Sequence, residues 1–177
     1  FINVEIEVLE QVGTVKTFCL NQGSKIKLPF QLIKQFFQGL CNIPQSDFVV
    51  CHFAGYASFI PNLLGRIFGK PRFLIIGGTD AASMPEIFYG SFGRGKALEW
   101  VTKMAYKHAT HILPVHERLA FQDYSYHPFG GKVQGYQHFY PAAIKIPMTP
   151  FYNAYDTTLF QMDKTTKRKP NSFISIG

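Results

Sequence analysis

Apolar and polar positions along this chain follow two periods, and the switches between them mark its elements. Ile2, Val4, Ile6 and Val8 fall on one side and Asn3, Glu5 and Glu7 on the other, which predicts a period-two strand over Ile2 to Leu9. Val15 to Leu20 reads as a second short strand. Pro29 suits the first turn of a helix, and Leu32, Ile33, Phe36, Phe37 and Leu40 then recur at helical spacing. The clearest stretch runs from Asp47 to Asp80. Phe48-Val49-Val50-Cys51 is a β-rich apolar run too short for a helix, closed by His52 and a turn at Phe53-Ala54-Gly55. Pairs at Phe59/Ile60, Leu63/Leu64 and Ile67/Phe68 make one helix face, and Gly69 with Pro71 ends it. Phe73-Leu74-Ile75-Ile76 is a second strand, ending at Gly77-Gly78-Thr79-Asp80.

Farther on, Ala81 to Gly95 is a loop rich in Ser, Gly and aromatics, of a length that is functional or mobile in compact domains. Lys96 to Ala109 is a helix with Leu98, Val101, Ala105 and His108 on one face, flanked by Trp100 and Met104, read as core. His111 to Val115 is the next strand, Tyr124 to Tyr140 an irregular aromatic stretch, and Ala143 to Met148 a final strand. Short apolar runs alternating with helical stretches predict an α/β chain. The expected form is a Rossmann-like, doubly wound parallel sheet in three α/β/α layers, a single truncated domain lacking part of one edge or its first strand. Strand, helix, strand puts polar and glycine residues at the carboxyl ends, where parallel sheets hold ligands.

Composition narrows the classes. With 177 residues, 46% hydrophobic and 16% aromatic, the chain suits one packed domain and excludes a disordered one. No apolar run is long enough to span a bilayer as a helix. Cys19, Cys41 and Cys51 lack metal-ligand spacing and read as buried reduced thiols of a cytoplasmic protein. The net charge of +7 favours partners carrying phosphate: nucleic acid, an anionic membrane surface, or a phosphorylated glycan carrier. Part of that charge lies in Lys164 to Pro170, a solvated linker on its simplest reading. With Phe1 first and no leader pattern, the chain reads as a piece of a longer one.

Candidate chemistry clusters at the strand ends. His52 closes a strand, where it either meets a sugar hydroxyl or phosphate or caps the following helix. Gly77 and Gly78 allow close backbone approach to a ligand, and Thr79 and Asp80 add an acceptor and a charge; alternatively, Asp80 caps a helix. Arg94 and Lys96, among glycines, either hold a phosphate or belong to a lid. His116-Glu117 reads as a surface helix start. His127 and His138 have no ligand-spaced partners, so no metal site is expected.

DFVVCHFAGYAS followed by GKPRFLIIGGTD resembles the amino-terminal core of GT4-type, GT-B-fold glycosyltransferases, which commonly reads D-x-V-H-x-H, a helix, G-K-P, a strand and H-G-S-D. Lys107 to Leu119 is similar to that family's A-D-x-v-i-x-v-S-e-x-l segment. Lys145 to Phe160 is similar to its K-v-x-v-i-P-N-G-v-D-x-x-x-F, and Phe173 to Gly177 to the first strand of its second domain. The resemblance implies an acceptor-side domain over 1–160, and an interdomain linker with the start of a second domain over 161–177. It implies sugar transfer from a nucleotide-sugar donor to a glycan or lipid-linked acceptor, with retention and without a metal or other cofactor. His52 and Asp80 would be catalytic, and Gly77, Gly78, Thr79, Arg94 and Lys96 would bind donor or acceptor. Where the family places a histidine beside the donor sugar, this chain has Gly77. Its nucleotide contacts would come from a carboxyl-terminal domain beyond Gly177, and the 177-residue chain alone is expected to be inactive.

Two other classes compete. A non-catalytic nucleic-acid- or phosphate-binding module would use the positive charge and the aromatics. Those aromatics fall in loops rather than on alternate strand positions, so no nucleic-acid partner is expected. A Rossmann oxidoreductase would need G-x-G-x-x-G after a strand, and the chain has none.

Overall fold

A computed structural model describes residues 2–20, 26–124 and 132–153. Lys16–Tyr152 form one compact unit; of the other, residues 2–15 and Asn153 are described. The linker and second-domain segments, 161–177, and the Phe173 strand lie outside the described residues.

Helix α1 spans Ile2–Glu10, which corrects the strand expected there. The stretch satisfies both periods: Ile2, Ile6 and Leu9 are also spaced i, i+4, i+7, and its glutamates favour helix over strand. The strand expected over Val15 to Leu20 is also absent; residues 14–20 carry no strand pairing.

In the larger unit, α2 (Leu28–Asn42), β1 (Val49–His52), α3 (Tyr56–Ile67), β2 (Arg72–Ile76), α4 (Lys96–His108) and β3 (His111–Pro114) follow in order. The three strands pair in parallel as β1-β2-β3, with Cys51 opposite Leu74 and Leu74 opposite Ile112. That row is buried and meets Leu64 of α3 and Ala105 and Tyr106 of α4 in the core. Helices α3 and α4 also pack on each other, so both lie on one face of the sheet. The alternate row Val50, Phe73 and His111 is only half-buried. Helix α3 ends as its residues require: Gly69 takes φ +66, open to glycine at little cost, ahead of Pro71.

Helix α2 lies against α3 for two legible reasons. Gly39 permits the approach, since a Cβ there would sit 2.6 Å from Leu64 Cδ1. Pro61, inside α3, has no N–H for the carbonyl of Ala57 four residues back, and Gln35 Nε2 of α2 donates to that carbonyl at 2.8 Å. The glutamine side of α2 therefore faces inward and its apolar repeat faces out.

The outer edge of β3 is covered by the stretch that sequence reads as a final strand over Ala143 to Met148. Pro141–Lys145 is instead a 3-10 helix, and Met148 alone makes a parallel bridge, to Ile112. Prolines 141 and 147 have no N–H to give a ladder. The carbonyl of Pro147 nevertheless accepts from Ile112 N, and Thr149 N donates back to Ile112 O. Among the described residues no strand pairs with the outer edge of β1. The aromatic stretch is partly regular: β4 (Gln122–Tyr124) pairs antiparallel with β5 (Lys132–Gln134), and α5 (Tyr136–Phe139) follows. No described helix is long and apolar enough to cross a membrane.

Two smaller expectations are also corrected. Trp100 is 54% exposed and packs edge-on against Phe59, because it sits on the flank of α4 turned from Val101 and Ala105. Cys19 and Cys41 are exposed; only Cys51, on the core side of β1, is buried, and burial pushes its thiol up to about 12.

Candidate functional site: the strand exits

Parallel register brings the exits of β1 and β2 side by side: His52 pairs with Ile75, and Phe53 N donates to Ile75 O at 2.8 Å. Asp80 binds the two exits together. Its Oδ2 accepts from Ala54 N at 2.8 Å, and its Oδ1 accepts from Gly77 N at 3.1 Å and Gly78 N at 3.0 Å. Its own carbonyl accepts from the Tyr106 hydroxyl of α4 at 2.9 Å. Asp80 is 1% exposed. Burial raises its pKa above the usual carboxylate value, and the backbone donors pull it back toward the ionised form. Three donors on a sealed carboxylate make Asp80 a clamp that positions the exits, not a group that meets substrate.

The clamp also fixes what the glycines can offer. The Gly77 and Gly78 N–H groups are committed to Asp80, the Gly78 carbonyl accepts Ala81 N, and the Thr79 carbonyl accepts Ser91 N. Thr79 itself is exposed. Gly78 takes φ +121, a conformation suited to glycine. Gly77 is small for another reason: the Phe53 ring lies where its Cβ would stand. Phe53 reaches that place with φ +61, rare for a bulky residue, so the space a histidine would need at position 77 is filled by a strained neighbour.

His52 alternates to the sheet face opposite Cys51 and is half-buried. Burial lowers its pKa, so the imidazole is neutral at neutral pH and can donate at one nitrogen and accept at the other. Arg94 and Lys96 are exposed, ahead of and on the first turn of α4. Neither lines the recess beside Gly78. That recess, about 90 Å3, is formed with Tyr89, Arg118, Leu119 and Gln134. That is room for a few water molecules, whereas a nucleotide sugar needs roughly 300 Å3 or more. A larger polar recess of about 360 Å3 lies away from the exits, between residues 17–20 and Gln31, Lys34, Gln35 and Gln38.

The loop from Ala81 to Gly95 is packed down. Met84 bridges Tyr89, Phe92 is buried and stacks on Phe139 at 4.5 Å, and Gln134 holds Ser83 through both amide atoms. Gly90, with φ +96, passes against the Ala82 carbonyl so closely that no Cβ fits. His116 caps a 3-10 turn, its Nδ1 accepting from Arg118 N at 3.1 Å. Sequence reading missed Phe53, Tyr89, Tyr106 and Arg118. Only Phe53, next to the Ala54-Gly55 turn, stood close to a visible signal.

No protein-family model, curated protein or solved structure matches this chain.

Proposed function

We propose that the chain is the acceptor-side domain of a retaining glycosyltransferase, moving a sugar from a nucleotide-sugar donor to a glycan or lipid-linked acceptor. One observation carries the reading: two successive parallel strand-helix-strand units, with the exits of the first two strands locked together by Asp80. The finer fold that goes with it is Rossmann-like and three-layered, with helices also on the Val50, Phe73 and His111 face.

In this reading His52 and Thr79 meet a sugar hydroxyl, and Arg94 and Lys96 approach phosphate at the amino-terminal end of α4, where the helix dipole favours an anion. Asp80 acts through the backbone it holds. With Phe53 filling the space at Gly77, no imidazole stands beside the donor sugar at that position. The small recess at Gly78 suits a half-site whose nucleotide contacts come from a second domain. The test is transfer by the protein with that domain attached, using UDP- and GDP-sugars with glycan and lipid-linked acceptors. NMR of the product reads the anomeric configuration. Retained configuration is expected, and inversion or no transfer with any donor would contradict the assignment.

A further inference from the structure

Helix α2 exposes a stripe that a water-facing helix of this length does not normally carry. Phe30, Ile33, Phe37 and Leu40 follow spacings of three, four and three, and Ile26 and Phe36 broaden the row. Ile26 is 84% exposed, Phe30 73%, Phe37 60% and Ile33 56%. The inward side is amide: Gln35 is buried and bound to Ala57 O. The helix is thus held in place by its polar side, and the contact along its apolar side is made with something else.

The charge around the stripe selects that partner. From Gln11 to Ser46 the sequence contains no aspartate or glutamate, and it contains Lys16, Lys25, Lys27 and Lys34. Lys27 and Lys34 stand exposed at one flank of the apolar row, seven residues apart and so on one side of the helix. Phenylalanines beside lysines, on a segment with no acid of its own to repel phosphate, match an interfacial helix on an anionic bilayer surface. A protein partner would be expected to meet acids as well as bases on so long a segment. We propose that α2 is a membrane-docking element that rests its Phe30–Leu40 stripe in the headgroup region, with Lys27 and Lys34 on anionic lipid phosphates. The proposal stands on α2 alone and does not depend on glycosyl transfer.

Co-sedimentation of the 177-residue chain with phosphatidylcholine vesicles, with and without phosphatidylserine, tests it. Binding is expected only with phosphatidylserine and should weaken as salt screens the lysines. Lys27→Gln and Lys34→Gln should each weaken it about fivefold, the effect of one lysine near such a surface. Phe30→Ser with Phe37→Ser should weaken it at least about tenfold per ring. Far-UV circular dichroism and the melting midpoint of these variants should match the parent. Equal binding to neutral vesicles, or none to either, overturns the proposal. So does a drop in melting midpoint in the phenylalanine variant, which would show the stripe packed inside the protein. A stable dimer by light scattering that the same variant dissociates would assign the stripe to a second copy instead.

Discussion

Helices α4 and α2 both repeat apolar side chains at helical spacing, yet they turn them opposite ways. In α4, Val101, Ala105 and Tyr106 are buried, and the two inward polar groups are matched: Thr102 donates to Leu98 O at 2.7 Å, and His108 Nδ1 meets the Arg66 guanidinium at 3.1 Å. Its Tyr106 reaches the Asp80 carbonyl, tying the helix to the strand exits. In α2 the inward groups are Gln35 and Gly39, and the phenylalanines face out. The difference lies in the neighbour. The sheet gives α4 an apolar surface, whereas α3 gives α2 the bare Ala57 carbonyl left by Pro61. Periodicity shows which side of a helix seeks burial, and a single unsatisfied carbonyl next door decides which side gets it.

The largest effect separating the two regions should come at the clamp that α4 supports. Asp80→Ala leaves three N–H groups without an acceptor, those of Ala54 and Gly78 buried and that of Gly77 partly so, and should cost about 4 kcal/mol by urea unfolding. Asp80→Asn should recover little, because its amide N–H2 must face one of those donors. An unfolding midpoint close to the parent's would remove Asp80 from the centre of the fold.

Next in size is the α2–α3 link. Gln35→Leu should cost about 2 kcal/mol, since the partly buried Ala57 carbonyl loses its donor beneath an apolar side chain. In a Pro61→Ala background, residue 61 regains its N–H and the same substitution should cost less by about 1 kcal/mol or more. Additive effects would mean that Gln35 is not there on account of Pro61.

A smaller contrast is set by pH. Burial, then the charges of Arg66, Lys107 and Arg72, lowers the His108 pKa below its ordinary 6.5. The unfolded chain therefore takes up the proton first, and the folded state loses stability as pH falls. The contribution is complete above about 6.5, and it is lost as acidification runs from there down through the lower folded value. Unfolding free energies between neutral and mildly acid pH should show this slope, and His108→Gln should flatten it. An unchanged slope in the variant would assign the acid loss elsewhere.

The smallest effect belongs to the outward stripe. Phe37→Glu should change folding stability by no more than about 0.5 kcal/mol, as for other exposed positions. A larger loss would put α2 in the same class as α4 and erase the contrast.

Much of the β1-to-β3 run was legible in sequence, because its apolar runs of four or five residues leave no room for a helix and its helices end at Gly69–Pro71 and His108. The amino-terminal stretch was not, since Ile2 to Leu9 fits both periods. At the exits, Gly77-Gly78-Thr79-Asp80 was visible as a feature, and both readings of Asp80, ligand group or backbone acceptor, were open. The choice depends on Ala54 N, 26 residues away, which no local pattern reports. Likewise Phe53 reads as one more turn residue, and only its positive φ shows why Gly77 has no side chain. Gln35 looks like an exposed helix position until Pro61 of the next helix is set beside it.

The glycosyltransferase assignment meets its most direct test in amide NMR of the 177-residue chain, titrated with UDP- and GDP-sugars and with acceptor glycans. Small fast-exchange shifts confined to Phe53, Gly77, Gly78, Thr79 and the start of α4, at millimolar ligand, are the expected result. Amides that stay still at these exits with every sugar would contradict the proposed surface. Tight, saturable donor binding by this chain alone would contradict the proposed role as an acceptor-side half.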